Sequence, residues 1–124
     1  LIACKFIFFA ATLEEYAKAF TAVTGLKSSA QDLLRVGERI CFFERIMNAQ
    51  NGFSARHDDL PERFFKEPGS HGQGVRIPPL DREKFLEARS AYYKIRGLDG
   101  NGMPLRETAG RLGLDVPEIL IPGD

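Results

Sequence analysis

Helix-capping signals recur along this sequence, and they constrain its fold more strongly than any other feature. Thr12 and Glu15 form the Thr-x-x-Glu pattern of a capping box, in which each side chain bonds a backbone N–H group at a helix start. Ser29 and Asp81 stand in a capping position before two later segments. Each segment is followed by a glycine that can adopt the left-handed conformation after a helix: Gly25, Gly52 and Gly97. These signals predict helices over 13–24, 30–51 and 82–96.

Within each predicted helix, apolar residues recur at the spacing of one helical face. The first face comprises Leu13, Tyr16, Ala17, Phe20 and Val23. The second comprises Leu33, Val36, Ile40, Phe43 and Met47, and it is widened by Leu34, Cys41 and Phe42. The third comprises Phe85, Ala88, Tyr92 and Ile95. We expect these faces to form the core. Gly37 interrupts the second helix at a cost of about 1 kcal/mol relative to alanine, and we expect it to mark the close approach of another helix.

Shorter elements are predicted before and between these helices. The apolar run 1–11 is interpreted as a further helix. Pro61 is well placed to open a short helical turn over 62–66, with Phe64 and Phe65 anchoring that turn to the core.

The rest of the chain predicts loops and one last helix. Residues 68–80 contain three glycines and three prolines and are expected to form an extended surface loop. A tight turn follows over 99–102, and Pro104 opens a short helix that ends at Gly113, before an extended tail. The sequence therefore predicts one all-α domain over 1–124, a bundle of four to five helices with one Gly/Pro-rich loop.

Length and charge exclude several classes of protein. The chain has 124 residues, enough for one domain with a core. It carries 17 basic and 17 acidic residues, and this balance removes the electrostatic case for binding nucleic acid. No apolar run approaches the roughly 18 residues of a membrane-spanning helix. Because the chain starts at Leu1 and its only methionines are Met47 and Met103, we expect it to be a piece of a longer protein.

Cys4 is the residue of greatest chemical interest, and the residues alone leave three interpretations open. LIAC resembles the loose lipobox of bacterial lipoproteins, although the apolar residues that follow would make a poor tether. Cys4 is alternatively a small buried core residue, which is the default for a free cysteine. The third interpretation is a metal or cluster ligand with companions outside this chain, since an iron–sulfur cluster typically takes four cysteines.

The other candidate side chains favour structural roles. Cys41 lies on an apolar helix face and is interpreted as core packing. His57, Asp58 and Asp59 are adjacent on a loop, where helix caps or solvated charges are better interpretations than a metal site. His71 has no partner in the sequence pattern. The sequence contains no P-loop, no dinucleotide-binding glycine fingerprint and no recognisable Ser/His/Asp arrangement.

Four stretches, taken together in this order and spacing, resemble the C-terminal domain of the aldehyde ferredoxin oxidoreductase family of tungsten enzymes. They are LIACKFIFF from Leu1, VGERICFFERIMNAQNGF from Val36, SARHDDLPERFF from Ser54 and DREKFLEARSAYYKIRGLDGNGMP from Asp81. The most specific part is the combination of LPERFF with YYxxRGxDxxGxP, and the resemblance covers nearly the whole chain.

The resemblance implies a parent enzyme with a tungsten (or molybdenum) bis-pterin cofactor beside a 4Fe-4S cluster. In the family, three cluster cysteines come from a C-x-x-C-x-x-x-C motif in an earlier domain, and the fourth from a D-x-x-G-L-C motif that also touches the pterin. The alignment places Cys4 on that fourth ligand, with Ala3 and Lys5 at flanking positions whose backbone faces the pterin. Ile2 and Ala3 replace the motif's glycine and leucine.

The implied activity is the oxidation or reduction of aldehydes and carboxylates at tungsten. Electrons would pass singly through the cluster to ferredoxin or an electron-transfer subunit, in the cytoplasm. The isolated chain is expected to be inactive and to bind no cofactor. Its partners are expected to be the other domains of the parent, with a homodimer as a further expectation, and Phe6, Ile7, Phe8 and Phe9 are predicted to be an exposed interface patch.

Two alternatives remain from the sequence. One is a non-catalytic helical interaction module in which Cys4 is merely buried. The other stays within the family: the same domain of the catalytic subunit of a benzoyl-CoA-reducing complex.

Overall fold

The computed structural model describes residues 6, 9–70, 74, 76–115 and 121. Five α-helices and two strands of two residues each account for the regular structure in these ranges, which confirms the predicted all-α class. The chain forms two compact units, Leu1–Cys41 and Phe42–Asp124, and the boundary between them falls inside the second helix. None of the helices in these ranges is long and apolar enough to cross a membrane.

Helix α1, Leu13–Thr24, begins and ends where the capping residues predict. The backbone N–H of Thr12 donates to Glu15 Oε2 at 2.6 Å, and the backbone N–H of Glu15 donates to Thr12 Oγ1 at 3.4 Å. The bond from the Thr12 backbone N–H, together with one from the Thr12 side chain, holds the pKa of the Glu15 carboxyl below its usual value. At the other end Gly25 has φ 73° and closes the helix with an N–H bond to the carbonyl of Thr21. The predicted capping box and glycine stop are confirmed.

Helix α2, Ala30–Gln50, has the predicted start, but it buries a different face from the predicted one. Ser29 and Asp32 exchange hydrogen bonds at its first turn. The buried residues are Phe42, Ile46 and Ala49. The predicted core face is mostly exposed: Val36 50%, Ile40 55%, Phe43 39% and Met47 48%, with Leu33 half-buried. The prediction of a packed core face was wrong, because periodicity locates an apolar face without identifying what covers it.

The surroundings of Gly37 on α2 also differ from what we expected. A Cβ atom built at this position would meet nothing within 4 Å. The close approach of a helix that we expected at Gly37 is therefore absent among the described residues.

The core of the second unit is formed by residues from several of its elements: Phe42, Ile46, Tyr93, Leu98, Ala109, Leu112, Leu114 and Ile121.

Helix α3, Arg63–Lys66, follows Pro61, and the N–H of Phe64 donates to the Pro61 carbonyl at 3.0 Å. Phe65 is half-buried, whereas Phe64 is 41% exposed, so only one of the two predicted anchors packs inward.

The predicted loop over 68–80 contains a small antiparallel ladder. Strand β1, Gly69–Ser70, pairs with strand β2, Arg76–Ile77. Two-residue strands are too short to show a period-two pattern, which is why the sequence indicated only a loop.

Helix α4, Arg82–Arg96, has the predicted bounds. The side chain of Asp81 accepts from the backbone N–H groups of Glu83 and Lys84, and Gly97 ends the helix with φ 69°. Its buried residue is Tyr93. Of the predicted face, Phe85 is half-buried, whereas Tyr92 and Ile95 are 52% and 79% exposed, so the prediction was wrong for these last two residues.

The chain after α4 turns back on itself. The predicted turn is present, with the Gly102 N–H donating to the Asp99 carbonyl at 3.0 Å. Helix α5, Arg106–Arg111, begins two residues after Pro104, because Pro104 pairs with Leu98 in an isolated bridge. Thr108 lies where a Cβ atom on Gly97 would be, so a glycine is needed for this close approach of α5 to the end of α4.

Both chain ends lie largely outside the described residues. In the first eleven residues, where a helix was predicted, Phe6 and Phe9 have 3₁₀ geometry and are 64% and 87% exposed, as expected for the interface patch. Ile7 and Phe8 are outside the described residues, as is the tail except for Ile121, which is buried.

Candidate functional site

The residues predicted to face the cofactors are Ala3, Cys4 and Lys5, and all three lie outside the described residues. His71 lies outside them too. The assignment of Cys4 as a cluster ligand therefore stays a prediction. The described residues contain a different polar centre, which lies entirely within the second unit.

Arg45, Asp58 and Tyr93 form this centre. Arg45 Nη1 and Nη2 donate to the two carboxylate oxygens of Asp58 at 2.9 and 2.6 Å, which is a bidentate pair. The phenol of Tyr93 donates to Asp58 Oδ2 at 2.6 Å. The Arg45 side chain is 15% exposed and that of Asp58 is 29% exposed, so the pair is partly buried. We call these three residues the Asp58 cluster.

Backbone groups complete the hydrogen bonding around the Asp58 cluster. Arg45 Nε donates to the carbonyl of Gly102 at 2.7 Å. Arg89 Nη1 donates to the carbonyls of Ala55 and Asp58 at 2.9 and 3.0 Å. The Arg45 and Arg89 guanidinium carbons lie 6.0 and 5.9 Å from the centroid of the Tyr93 ring. Two cations therefore border one buried phenol and one carboxylate.

The electrostatics of the Asp58 cluster favour its charged pair and a neutral tyrosine. Burial acts to raise the pKa of Asp58, but hydrogen bonds from Arg45 and Tyr93 outweigh it and leave that pKa below its usual value. The hydrogen bond to Asp58 raises the pKa of Arg45. Burial and the hydrogen bond to Asp58 raise the pKa of Tyr93 to about 12. At neutral pH none of these groups is poised to exchange a proton, so the cluster is suited to holding structure rather than to acid–base catalysis.

Gly102 makes room for this arrangement. It has φ 74°, and a Cβ atom there would collide with Arg45 Nη2 and approach the Tyr93 ring to 3.0 Å. A residue with a side chain would thus be strained in its backbone and would displace the guanidinium from Asp58.

The neighbouring carboxylate, Asp59, forms a separate and more exposed pair. It accepts two hydrogen bonds of 2.6 Å from Arg82, and these lower its pKa to about 2. The guanidinium carbon of Arg82 lies 4.7 Å from the centroid of the Phe65 ring, which packs edge-on against Phe85 at 5.4 Å. Asp59 therefore fixes the start of α4 beside α3.

His57 does not join either carboxylate. Its Nδ1 accepts from the backbone N–H of Ser54 at 3.1 Å, and its ring lies 4.9 Å from that of Phe53. The predicted roles of this stretch, helix caps or solvated charges, do not describe Asp58, which is a partly buried partner of Arg45 and Tyr93. In the described part of the chain no three His, Cys, Asp or Glu side chains are grouped so as to hold a metal ion.

The predicted role of Cys41 as a core residue was wrong. The sequence placed it in the core, but it is an exposed free cysteine. The reason is the rotation of α2: burial of Phe42, Ile46 and Ala49 turns the position of Cys41 away from the core.

A pocket of about 390 Å³ lies between α3 and the short ladder. Its walls include Phe64, Ile77, Pro78 and Leu80, and its charged members are Arg63 and Glu67. The lining is mainly apolar and offers no set of catalytic groups.

The Asp58 cluster was missed by sequence reasoning because its members are far apart in the chain. Asp58 lies 13 residues from Arg45 and 35 from Tyr93. One signal was available: Arg45 is three residues after Phe42 and four before Ala49, so a charge sits on what proves to be the buried face of α2. The cluster joins three of the four stretches that carried the family resemblance, namely those from Val36, Ser54 and Asp81.

Comparisons with known proteins agree with that resemblance. The family model described as aldehyde ferredoxin oxidoreductase, domains 2 & 3, matches residues 1–114. The tungsten-containing aldehyde ferredoxin oxidoreductase of Thermococcus kodakarensis is 34% identical over 116 residues, covering 90% of this chain. The enzyme of the same name from Pyrococcus furiosus is 33% identical over 114 residues.

The extent of the match defines what this chain represents. It corresponds to 18% of the length of each of these relatives. The family model, by contrast, covers most of this chain, including the stretches that meet at the Asp58 cluster. The chain therefore belongs to the aldehyde ferredoxin oxidoreductase family.

Proposed function

We propose that this chain is the C-terminal helical domain of a tungsten-dependent aldehyde or carboxylate oxidoreductase. In that parent, Cys4 supplies one thiolate to a 4Fe-4S cluster, and the backbone of Ala3 and Lys5 borders the tungsten bis-pterin. The observation that carries the proposal is the family match, which starts at residue 1 and so includes Cys4. The two relatives are named as tungsten-containing enzymes, which supports the choice of metal.

The described residues do not by themselves fit a cluster site. Cys41 is their exposed cysteine, and no group of three potential ligands occurs in these ranges. The proposal therefore assigns the other three cluster ligands to an upstream part of the parent. A bound cluster would supply single-electron transfer to ferredoxin or a partner subunit.

The role of the described residues is to hold the helices together. The Asp58 cluster connects the second half of α2, the loop before α3, α4 and the turn at Gly102. A rigid helical frame of this kind is what a domain needs if one of its cysteines must meet ligands from elsewhere in the chain.

A pair of cysteine variants in the full-length parent tests the proposal. Cys4→Ser is expected to lose or destabilise the cluster, measured as iron and acid-labile sulfide per protein and as the EPR signal of the reduced enzyme prepared anaerobically. Cys41→Ser is the matched control and is expected to keep the full cluster. An intact cluster in Cys4→Ser would refute the ligand assignment.

The parent gene offers an independent check. We expect a C-x-x-C-x-x-x-C motif upstream of this chain, and a parent without it would refute the enzyme and favour a non-catalytic helical module. In the isolated chain, iodoacetamide is expected to alkylate Cys4 readily, and in the parent the cluster is expected to protect it. The isolated chain is expected to show no oxidoreductase activity.

A further inference from the structure

The second unit contains two asparagine–glycine pairs, Asn51–Gly52 after α2 and Asn101–Gly102 in the turn after α4. Both asparagines are exposed, and both glycines have a positive φ, 82° and 74°. Each glycine N–H donates at 3.0 Å to the backbone carbonyl three residues earlier. Because the glycine nitrogens of the two pairs are held in the same way, any difference in their chemistry must come from their surroundings.

An asparagine followed by glycine can lose its side-chain amide with water as the only other reactant. The backbone nitrogen of the glycine attacks Cγ of the asparagine, and solvent carries the proton of that nitrogen to the departing amide. A bond forms between the glycine nitrogen and Cγ, the Cγ–Nδ2 bond breaks, and ammonia leaves behind a cyclic imide. Water then opens the ring on one side or the other and gives aspartate or isoaspartate. Glycine favours the attack because no side chain shields its nitrogen.

The side-chain amides of the two asparagines differ in their freedom to move. Asn51 Nδ2 donates to the carbonyl of Met47 at 2.8 Å, which holds this amide against the last turn of α2. At Asn101 the backbone N–H donates to Asp99 Oδ1 at 2.8 Å, and no hydrogen bond joins the side-chain amide to another described residue. The amide of Asn101 is therefore free to turn towards the nitrogen of Gly102.

The peptide group between Asn101 and Gly102 also lies in a more activating environment. Its carbonyl accepts from the N–H of Ala55 at 2.7 Å. Arg45 Nε donates to the carbonyl of Gly102 at 2.7 Å, and the guanidinium lies directly against this glycine, where a Cβ atom would collide with Nη2. A donor on the carbonyl and a neighbouring cation both stabilise negative charge on the attacking peptide nitrogen. Around the Cβ position of Gly52, by contrast, no described atom lies within 4 Å.

We propose that Asn101 is a site of spontaneous modification, at which the side-chain amide is displaced by the nitrogen of Gly102 and replaced by aspartate or isoaspartate. The free amide of Asn101 and the cation of Arg45 make this reaction faster than the same reaction at Asn51. The inference does not depend on the proposed function, because the reaction needs only the described residues and water.

Isoaspartate at position 101 would act on the Asp58 cluster through the backbone. It carries the main chain through Cβ and so lengthens the chain by one atom at the turn. The carbonyls of Asn101 and Gly102, which accept from Ala55 and Arg45, are then displaced. We expect the guanidinium to lose one of its acceptors and the Asp58 cluster to weaken.

Ageing of the full-length parent tests the proposal without a variant. Trypsin releases the two pairs in separate peptides, 46–56 and 97–106, and electron-transfer fragmentation distinguishes isoaspartate from aspartate. Digestion in heavy-oxygen water marks any amide that is lost during preparation. In the folded parent at mildly alkaline pH, we expect amide loss to be roughly tenfold faster at Asn101 than at Asn51. In urea we expect equal rates. Equal rates in the folded parent, including no measurable loss at either asparagine, would overturn the proposal, as would faster loss at Asn51.

Arg45→Gln tests the part played by the cation. This variant removes the positive charge and keeps a side chain that can donate hydrogen bonds. We expect the rate at Asn101 to fall severalfold and the rate at Asn51, the internal control for folding, to stay the same. Any other result would overturn the role assigned to Arg45.

Two glutamine variants test the effect of the modification on stability. Glutamine in place of asparagine forms the cyclic imide far more slowly, because the ring would be larger. On ageing, we expect the thermal midpoint of the wild-type parent and of Asn51→Gln to fall in step with the modified fraction, whereas Asn101→Gln keeps its midpoint. An equal fall in all three proteins would refute the link between position 101 and the Asp58 cluster.

Discussion

Each of the two units of this chain is stabilised internally by a different kind of contact. In Leu1–Cys41, the buried apolar residue among those described is Ala17, and local bonds such as the capping box define the helix ends. Among the described residues of Phe42–Asp124, eight buried residues form a core, and the Asp58 cluster joins α2, the loop before α3 and α4. Local hydrogen bonds determine where helices begin and end, but only long-range contacts determine which face of a helix is buried.

The two faces of α2 give the strongest test of this difference. Ile46 is fully buried, so Ile46→Ala is expected to lower the free energy of unfolding by about 4 kcal/mol through lost burial and a residual cavity. Ile40 is 55% exposed, and Ile40→Ala is expected to change stability by no more than about 0.5 kcal/mol. Urea unfolding of the isolated chain, followed by circular dichroism, measures both. Similar losses in the two variants would contradict the assignment of the buried face.

Adjacent carboxylates test the Asp58 cluster. Asp58→Asn removes the negative charge that balances the largely buried Arg45, and we expect it to cost about 3 kcal/mol of stability. Asp59→Asn breaks a more exposed pair with Arg82, and we expect a much smaller loss of stability, because solvent screens that pair. The same urea titration compares them. Equal effects would mean that the Asp58 cluster stabilises the fold no more than an exposed ion pair does.

Sequence alone predicted the helix ends well, because each end depends on residues within a few positions of one another. Thr12 with Glu15, Asp81 with the N–H of Glu83, and the left-handed glycines after α1 and α4 are all local arrangements. The short strands of the ladder were missed because two residues cannot show a pattern.

Burial could not be predicted in the same way. The apolar face of α2 was identified correctly as a face but assigned to the core, and Cys41 was assigned with it. The helix carries apolar residues around most of its circumference, so periodicity alone does not select the side that packs within the chain. The Asp58 cluster could not be predicted from the sequence for a related reason: no short-range pattern links Arg45 to Asp58 and Tyr93.

The candidate cofactor residues were predicted on other grounds than the helices and the buried faces. Cys4 was selected by family resemblance, and composition and spacing alone left three interpretations open for it. The family match supports that resemblance, but Ala3, Cys4 and Lys5 lie outside the described residues. For these residues the sequence is the source of the hypothesis, and the cysteine variants of the parent are its test.

One glycine in each unit has a positive φ of nearly the same value, and the two differ in what surrounds them. Gly25 has φ 73° and open space around its Cβ position, whereas Gly102 has φ 74° and faces Arg45 and Tyr93. Both alanine variants carry the strain of a positive φ, but Gly102→Ala must also displace the guanidinium. We expect Gly102→Ala to cost about 2 kcal/mol more than Gly25→Ala in urea unfolding. Matching losses would show that the packing around Gly102 can relax freely.

Neighbouring tyrosines provide the finest comparison, through the pH dependence of stability. Tyr93 is 4% exposed, and burial together with the hydrogen bond to Asp58 raises its pKa from 10.0 to about 12. Because the folded chain holds this proton more tightly, the stability that Tyr93 contributes is fully present below about pH 10 and is lost as pH rises towards about 12. Tyr93→Phe is expected to cost about 1.5 kcal/mol at pH 7, through the lost bond to the carboxylate, and to flatten the decline of stability between pH 10 and 12. Tyr92→Phe, at a position 52% exposed, is expected to retain both the neutral stability and the alkaline decline. Urea midpoints measured from pH 7 to 12 for the three proteins check this prediction.

If the stability of Tyr93→Phe falls with rising pH as steeply as that of the wild type, ionisation of the Tyr93 phenol is not the cause of the alkaline loss of stability.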